Sequence, residues 1–222
     1  MKVVEPKEGE VFDIELEEDI LKANEELARQ NKKLLDKHKI LAIDIMGSIG
    51  SGKTSLIEKL VEKLKNKYKI GVIAGDLTTT IDADRIKKHE VKVVQINTGK
   101  ECHLDANLVK GALKELDLKN LDLLFIENVG NLICPAEFPL GSHKRIVVIS
   151  VTEGPYMIIK HPFIFQDADI VAINKIDLTG AMGVNPSKLE KDAKKLNPDI
   201  TAIRTNCLTG YGTDGIIESL FE

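Results

Sequence analysis

The chain has 222 residues, a formal net charge of −4 and 43% hydrophobic residues, which is typical of one ordinary α/β domain. Its lysines are scattered among glutamates, so it lacks the basic surface that nucleic-acid binding requires. No apolar run approaches the roughly 20 residues that cross a bilayer, and the acidic N-terminus is not that of a signal peptide. We therefore expect neither nucleic acid nor membrane as a partner.

The three cysteines are Cys102, Cys134 and Cys207. They form an odd set without the spacing of a disulfide framework, which favours a reducing, cytoplasmic location. We expect these thiols to be free or metal-bound.

The first predicted element is an amphipathic helix over residues 17–38, where apolar residues recur at helical spacing among charges. We interpret residues 1–38 as an N-terminal segment that leads into one domain over residues 39–222. Residues 40–46 predict a strand, and residues 179–186, rich in Gly, predict a loop. Further strands are predicted to end at Gly75, Asn97, Glu127, Val151 and Asn174.

Most of these strands are separated by stretches long enough for a helix, as in βαβ units. The sequence therefore predicts a three-layer α/β fold with a mainly parallel sheet flanked by helices.

A glycine-rich octet between the first predicted strand and the next helix matches the pattern G-x-x-x-x-G-K-[ST]. It comprises Gly47, Ser48, Ile49, Gly50, Ser51, Gly52, Lys53 and Thr54, and Ser55 follows it. Such a loop turns backbone N–H groups toward phosphate oxygens at the positive end of a helix. Lys53 is expected to bridge the β- and γ-phosphates, and the Thr54 hydroxyl to hold Mg²⁺. The domain over residues 39–222 is thus predicted to be a P-loop NTPase.

The sequence Asn174-Lys175-Ile176-Asp177 follows an apolar strand and resembles the N-K-x-D motif of GTPases. The Asp177 carboxylate can accept two hydrogen bonds from guanine, whereas adenine offers no such pair of donors. The segment around Asn206 and Cys207 resembles the last guanine-contacting loop, although a buried structural thiol at Cys207 is equally compatible with the sequence. These motifs predict a GTPase.

Two carboxylates end predicted strands near this site. Glu127, followed by Asn128-Val129-Gly130, resembles a switch II and would face Mg²⁺ through water. Asp76 is a second candidate, either as a Mg²⁺ ligand or to orient the attacking water. For both acids, a helix cap is the structural alternative. Because no glutamine follows Gly130, we expect slow hydrolysis.

Thiolate and imidazole ligands are offered by the adjacent Cys102 and His103 and by Cys134, seven residues beyond Glu127. Such ligands suit zinc, nickel or copper. A packed thiol beside a surface imidazole is the structural alternative.

From Gly47 to Gly212 the pattern resembles the hydrogenase nickel-incorporation GTPases of the HypB family. The resemblance rests on the P-loop octet, Gly75-Asp76, residues 98–105, residues 127–135 and the N-K-x-D motif. It implies a dimeric cytoplasmic GTPase of the signal-recognition and MinD class. It also implies that Cys102, His103 and Cys134 bind Ni²⁺ or Zn²⁺ and that nickel passes to a hydrogenase large-subunit precursor, with the help of other maturation proteins.

Two departures limit this resemblance. The N-terminal region lacks the histidine-rich stretch or extra cysteine motif of many members, and Ser48 replaces the lysine of MinD-type loops. Nickel storage and a lysine finger are therefore not expected.

Three alternatives stay open. The urease accessory GTPases are close kin, but they carry a proline between the metal-binding Cys and His, which are adjacent here. A nucleotide kinase would need lid arginines, and this chain has few. A nucleotide-dependent scaffold without useful hydrolysis is the third.

Overall fold

Seven parallel strands form one sheet in the order β3-β2-β4-β1-β5-β6-β7 in the computed structural model, which describes residues 14–222. The strands are β1 Leu41–Met46, β2 Ile70–Asp76, β3 Lys92–Asn97, β4 Leu123–Glu127, β5 Lys144–Ser150, β6 Ile170–Asn174 and β7 Thr201–Arg204. The predicted α/β class is confirmed, and the sheet is wholly rather than mainly parallel.

Helices cover both faces of this sheet. Within residues 14–222 they are α1 Ile14–His38, α2 Lys53–Leu64, α3 Ile81–Lys87, α4 Ala106–Lys114, α5 Cys134–Glu137, α6 Met157–Lys160, α7 Phe163–Gln166, α8 Thr179–Met182, α9 Pro186–Leu196 and α10 Thr213–Phe221. Short 3-10 helices span Leu118–Asn120, Val151–Glu153 and Ile176–Leu178. None of the helices in this part of the chain is long and apolar enough to cross a membrane.

The core is divided between the two faces of the sheet. On one face, Ile43 and Ile45 of β1 pack with α2 and α10. On the other, Ala42 packs with Leu35 of α1 and with the apolar side of α4, and a further cluster joins β5 and β6 to α6, α7 and α9. Strands buried on both faces read as continuous apolar runs, which is why the central strands were visible in the sequence.

The predicted helix over residues 17–38 is confirmed as α1, which begins at Ile14, while residues 1–13 lie outside the described part of the chain. Two other elements differ from the prediction. Strand β7 was not predicted, because this short edge strand has only exposed and half-buried residues and no apolar run. The predicted loop over residues 179–186 contains α8, a single helical turn that Gly183 ends with a left-handed φ of 60°.

The fold buries one carboxylic acid in the central strand. Asp44 of β1 is fully buried, and its Oδ1 accepts a hydrogen bond of 3.3 Å from Asn128 Nδ2. Its Oδ2 has no hydrogen-bond partner among the described residues. Burial raises the pKa of Asp44 to about 6, and the charge of Arg145 opposes this rise.

Because the folded-state pKa of Asp44 lies above its ordinary value of 3.8, the folded state binds the proton more tightly than the unfolded state. Folding stability should therefore fall as pH rises from about 4 to about 6 and stay reduced above that window. Over this range we expect Asp44→Asn to gain stability relative to wild type, by on the order of 1–3 kcal/mol. Urea unfolding of the nucleotide-free protein at several pH values measures this difference. The exposed Asp199→Asn is the control, and parallel pH profiles for Asp44→Asn and wild type would contradict the assignment.

Candidate nucleotide and metal site

The glycine-rich loop lies directly after β1, and its shape depends on two glycines. A Cβ atom on Gly47 would lie 2.2 Å from the carbonyl oxygen of Val148, and one on Gly52 would lie 2.1 Å from Asn174 Nδ2. Both residues also have positive φ angles, 146° and 109°. Helix α2 begins at Lys53, so its positive end faces the loop, as phosphate binding requires.

Lys53 lies across this loop. Its Nζ donates to the carbonyl oxygens of Gly47 at 3.1 Å and Ser48 at 3.0 Å. Burial lowers the pKa of Lys53, and the nearby Glu127 carboxylate opposes that shift. The lysine is therefore held at the centre of the loop, where a phosphate chain would replace its neutral carbonyl partners.

The N-K-x-D segment is joined to the glycine-rich loop by hydrogen bonds. Asn174 Nδ2 donates to the carbonyl oxygen of Ser51 at 2.8 Å, and Asn174 Oδ1 accepts from the backbone N–H of Cys207 at 3.0 Å. Lys175, with a φ of 60°, donates from Nζ to the carbonyl oxygen of Gly50 at 2.7 Å. The loops after β1, β6 and β7 therefore form one connected unit.

Asp177 and the loop after β7 face the same cleft. Asp177 Oδ1 accepts a hydrogen bond of 2.9 Å from Asn206 Nδ2, so the carboxylate is oriented before any base binds. Cys207 contributes only its backbone to this edge, because its side chain is buried in the core. That burial raises the pKa of the Cys207 thiol to about 11, which favours the structural interpretation of this side chain over a reactive one.

A cleft of about 470 Å³ connects the two motifs, a volume within the range of small-molecule sites. Its lining includes Ile49, Gly50, Gly52, Lys53, Thr54, Ser55, Asp76, Asp82, Arg85, Glu127, Asn128, Asn174, Lys175, Asp177, Asn206, Cys207 and Leu208. Sequence reasoning assigned no role to Asp82 or Arg85. Arg85 of α3 reaches Ser55 Oγ at 3.1 Å and Glu58 Oε2 at 2.5 Å, and no sequence motif marks such a contact.

The hydroxyl group of Thr54 and the carboxylates of Asp76 and Glu127 line the same cleft. Glu127 Oε1 accepts a hydrogen bond of 2.6 Å from Thr54 Oγ1, and Glu127 Oε2 is buried with no partner among the described residues. Burial raises the pKa of Glu127 to about 7. A cation beside it would supply the missing partner and favour the ionised form. These oxygen donors fit Mg²⁺.

Asp76 ends β2 at the same sheet edge. One carboxylate oxygen accepts from the Leu77 N–H at 2.5 Å, and the other accepts from the Thr79 hydroxyl. The N-cap position of α3 is Thr80, so Asp76 caps a local turn and not the helix itself. The predicted position at the strand end is confirmed, while the Mg²⁺ and water-orienting roles stay predictions.

The soft ligands predicted from the sequence lie together. The ligand atoms of Cys102, His103 and Cys134 all lie within 4.8 Å of one another. The two Sγ atoms are 3.1 Å apart, and Cys102 Sγ is 4.0 Å from His103 Nδ1. Partial burial lowers the pKa of His103, which favours the neutral imidazole that binds metals. Two thiols and an imidazole suit zinc or nickel.

Asn128 links the cation-facing carboxylate to the soft ligands. It is fully buried and follows Glu127 directly. Its Oδ1 accepts from the backbone N–H groups of Leu104 and Val129, both at 3.0 Å. Leu104 follows His103, so one amide joins the end of β4 to the loop that carries two of the three soft ligands.

The fold and this site define a P-loop nucleotide-binding protein with a separate set of soft metal ligands. The family profile described as "CobW/HypB/UreG, nucleotide-binding domain" matches residues 41–204. A curated relative, the probable hydrogenase maturation factor HypB of Methanocaldococcus jannaschii, is 58% identical over 205 residues, which cover 92% of this chain and 93% of the relative. The chain therefore belongs to the HypB family of hydrogenase maturation factors.

Two further relatives bear on the site. The hydrogenase/urease maturation factor HypB of Helicobacter pylori (strain 26695) is 39% identical over 191 residues, which cover 84% of this chain and 78% of the relative. The crystal structure of HypB from Helicobacter pylori in complex with nickel is 35% identical, with a TM-score of 0.85, and the match covers 90% of this chain and 94% of that one. That H. pylori protein was thus crystallised with nickel.

Asp177→Asn tests the base-recognition site. The variant places an amide donor where guanine needs an acceptor, so we expect GTP affinity to fall at least about tenfold and preference to move toward xanthosine nucleotides. Titration with fluorescent GTP and xanthosine triphosphate measures both effects, with the exposed Asp199→Asn as the control. Unchanged GTP affinity in Asp177→Asn would overturn the guanine assignment.

Proposed function

We propose that this protein is a GTP-hydrolysing metallochaperone that supports nickel insertion into the precursor of a [NiFe]-hydrogenase. One observation carries the proposal: a cluster of soft ligands lies at the same sheet edge as the nucleotide cleft. Glu127 lines the cleft as the last residue of β4, and Cys134 of the cluster follows it seven residues later in the chain. A change in nucleotide state at Glu127 can therefore reach a metal ligand along a few residues of chain.

Guanine is the base that the cleft suits best. The Asp177 carboxylate, oriented by Asn206, offers two acceptor oxygens to the N1–H and exocyclic amine of guanine. A kinase is less compatible, because it would need lid arginines and three of the few arginines here already pair with carboxylates: Arg85, which lines the cleft, with Glu58, Arg145 with Asp167 and Arg204 with Glu190.

Hydrolysis would use the groups at the centre of the cleft. Lys53 would hold the β- and γ-phosphates, and Thr54, Glu127 and Asp76 would hold Mg²⁺, directly or through water. The bound cation would neutralise charge that develops on the phosphates. Slow turnover is expected, because no glutamine follows Gly130 to orient water. Slow hydrolysis suits a switch.

Lys53→Ala and Thr54→Ala test these roles separately from folding. Both side chains serve the phosphates and the cation, so we expect Mg²⁺-dependent GTP cleavage to fall at least about a hundredfold, as for lost transition-state contacts worth some 2.7 kcal/mol. Single-turnover cleavage of GTP measures the rate, and circular dichroism checks that the domain is folded. Lys59→Ala, which removes a lysine of the same helix that does not line the cleft, is the control. Wild-type rates in either loop variant would remove that residue from the mechanism.

The metal cargo is proposed to be Ni²⁺ or Zn²⁺ bound by Cys102, His103 and Cys134. One chain supplies three soft ligands, whereas a closed tetrahedral site uses four. A two-fold homodimer would supply six, enough for a shared metal or a pair of metals. Exposed apolar side chains at this sheet edge, Ile49 and Ile133, support a contact surface here.

The nucleotide is proposed to control this metal site through the end of β4. Ordering of Glu127 by GTP and Mg²⁺ would act on Asn128, which holds the Leu104 N–H, and on the segment that leads to Cys134. By reciprocal linkage, GTP should favour the metal-bound dimer and the metal should favour GTP binding. Hydrolysis would then release both nucleotide and metal.

The recipient is proposed to be the large-subunit precursor of a hydrogenase in the cytoplasm, reached with other maturation proteins. The names of the relatives and the nickel in the H. pylori complex support this role. A urease-type role is the alternative, and the name of the H. pylori relative includes urease. The adjacent Cys102 and His103, with no proline between them, favour the hydrogenase branch.

Light scattering with a Cys102→Ala/Cys134→Ala double variant tests the metal-linked switch. We expect wild type to dimerise with non-hydrolysable GTP and Ni²⁺ or Zn²⁺, and the double variant to bind either metal at least about tenfold more weakly. Cys207→Ala is the matched control, because it removes a thiol that lies in the core. If metal changes neither mass nor nucleotide affinity and the double variant binds metal as wild type does, the metal-linked switch is wrong.

A further inference from the structure

Helix α1 buries two asparagines on the stripe that faces the rest of the protein. The buried positions are Asn24, Ala28, Asn31 and Leu35, a spacing that places all four on one helix face. Asn24 is 5% exposed and Asn31 is 1% exposed. Burying a side-chain amide costs free energy unless the amide is hydrogen-bonded, so these two residues require hydrogen-bond partners on the elements packed against α1.

Each of these amides bridges the same two segments of chain. Asn24 Oδ1 accepts from the N–H of Ala106 at 2.8 Å, and its Nδ2 donates to the carbonyl oxygen of Pro139 at 3.0 Å. Asn31 Nδ2 donates to the carbonyl oxygens of Ala106 at 2.8 Å and of Leu140 at 3.1 Å. Both backbone groups of Ala106 are thus held by α1.

A glycine lets the second segment approach α1 closely. Gly141 has a φ of 92°, and a Cβ atom on it would lie 2.4 Å from the carbonyl oxygen of Ala28. The close contact therefore requires glycine. Ala28 lies between Asn24 and Asn31 along α1, so three consecutive turns of the helix contact the segment from Pro139 to Gly141.

The two bridged segments are those that carry the soft ligands. Ala106 begins α4, three residues after His103, and Pro139 lies five residues after Cys134. The ring of Phe138, next to Pro139, packs on the His103 ring with 4.0 Å between centroids. Little chain thus separates the asparagine contacts from the ligands on either side.

We propose that α1 is a brace for the soft metal site, and that Asn24 and Asn31 are positioning residues that set the separation of Cys102 and His103 from Cys134. This inference rests on the proposed metal function. Hydrogen-bonded groups behind metal ligands fix ligand geometry, and their loss commonly weakens metal affinity 10- to 100-fold. Within the described residues, the side-chain hydrogen bonds of the two asparagines reach only Ala106, Pro139 and Leu140, none of which lines the nucleotide cleft, so nucleotide affinity should not change.

The experiment compares four proteins by chelator competition with Zn²⁺ and Ni²⁺: wild type, Asn24→Ala/Asn31→Ala, Asn197→Ala and Cys102→Ala/Cys134→Ala. Asn197 is the matched control, because its Nδ2 also joins two backbone carbonyls, of Phe165 in α7 and of Ala168 between α7 and β6, both far from the soft ligands in sequence. We expect the Asn24/Asn31 variant to bind metal at least about tenfold more weakly than wild type. Asn197→Ala should bind metal as wild type does, and GDP affinity should stay within about twofold in both variants.

Cobalt absorption adds a readout of geometry, because thiolate-to-cobalt bands report whether both sulfurs bind one ion. These bands should weaken in the Asn24/Asn31 variant. If it binds metal as tightly as wild type, the brace is wrong while the metal site stands. If wild type binds no metal, or the double cysteine variant binds as well as wild type, the metal site is wrong and the brace with it.

A measurement on wild type keeps the test decisive if the double asparagine variant does not fold. By reciprocal linkage, metal binding should stabilise the brace. It should therefore slow hydrogen exchange at the Ala106 N–H, which donates a hydrogen bond to Asn24 Oδ1. The Asn197 N–H, which bonds within α9, is the internal reference. An Ala106 exchange rate that Zn²⁺ leaves unchanged would overturn the brace.

Discussion

The parallel arrangement of the strands is the constraint on which the site depends. Because every strand runs in the same direction, the loops after β1, β2, β4 and β6 all emerge at one edge of the sheet. Phosphate, base and cation groups that are far apart in sequence therefore meet without any specific long-range signal between them. The soft ligands follow the same rule, since they lie in the loops after β3 and β4.

The segment that begins at Glu127 and ends at Cys134 carries ligand groups of two different kinds. The carboxylate suits a hard cation with oxygen ligands, whereas the thiol suits a softer ion. Ligand preference alone would thus keep Mg²⁺ and the proposed cargo metal apart within one short segment of chain. The buried amide of Asn128, between the two sets of ligands, would give the proposed communication a physical basis that needs no movement of the sheet.

Local patterns in the sequence were enough to predict the P-loop, the N-K-x-D segment and the strand that places each of them. The cluster of Cys102, His103 and Cys134 was also predictable, because parallel strands bring their ends together. The roles of Arg85, Asn24 and Asn31 were not. In an amphipathic helix rich in charge, a buried asparagine looks like one more surface residue until its partners are known. Strand β7 was missed for a similar reason, since it is only four residues long and none of them is fully buried.

The position of Asn174 between two loops has a consequence for which ligands the cleft can bind. Its one amide bonds to the phosphate loop at Ser51 and to the base loop at Cys207, and Gly52 lies too close to it for any other residue to fit. One side chain therefore fixes the separation between the loop that would hold phosphate and the loop that would hold the base. A ligand that carries only a phosphate chain, or only a base, would contact one loop alone, so the scaffold selects for ligands in which the two groups stand at a matching separation.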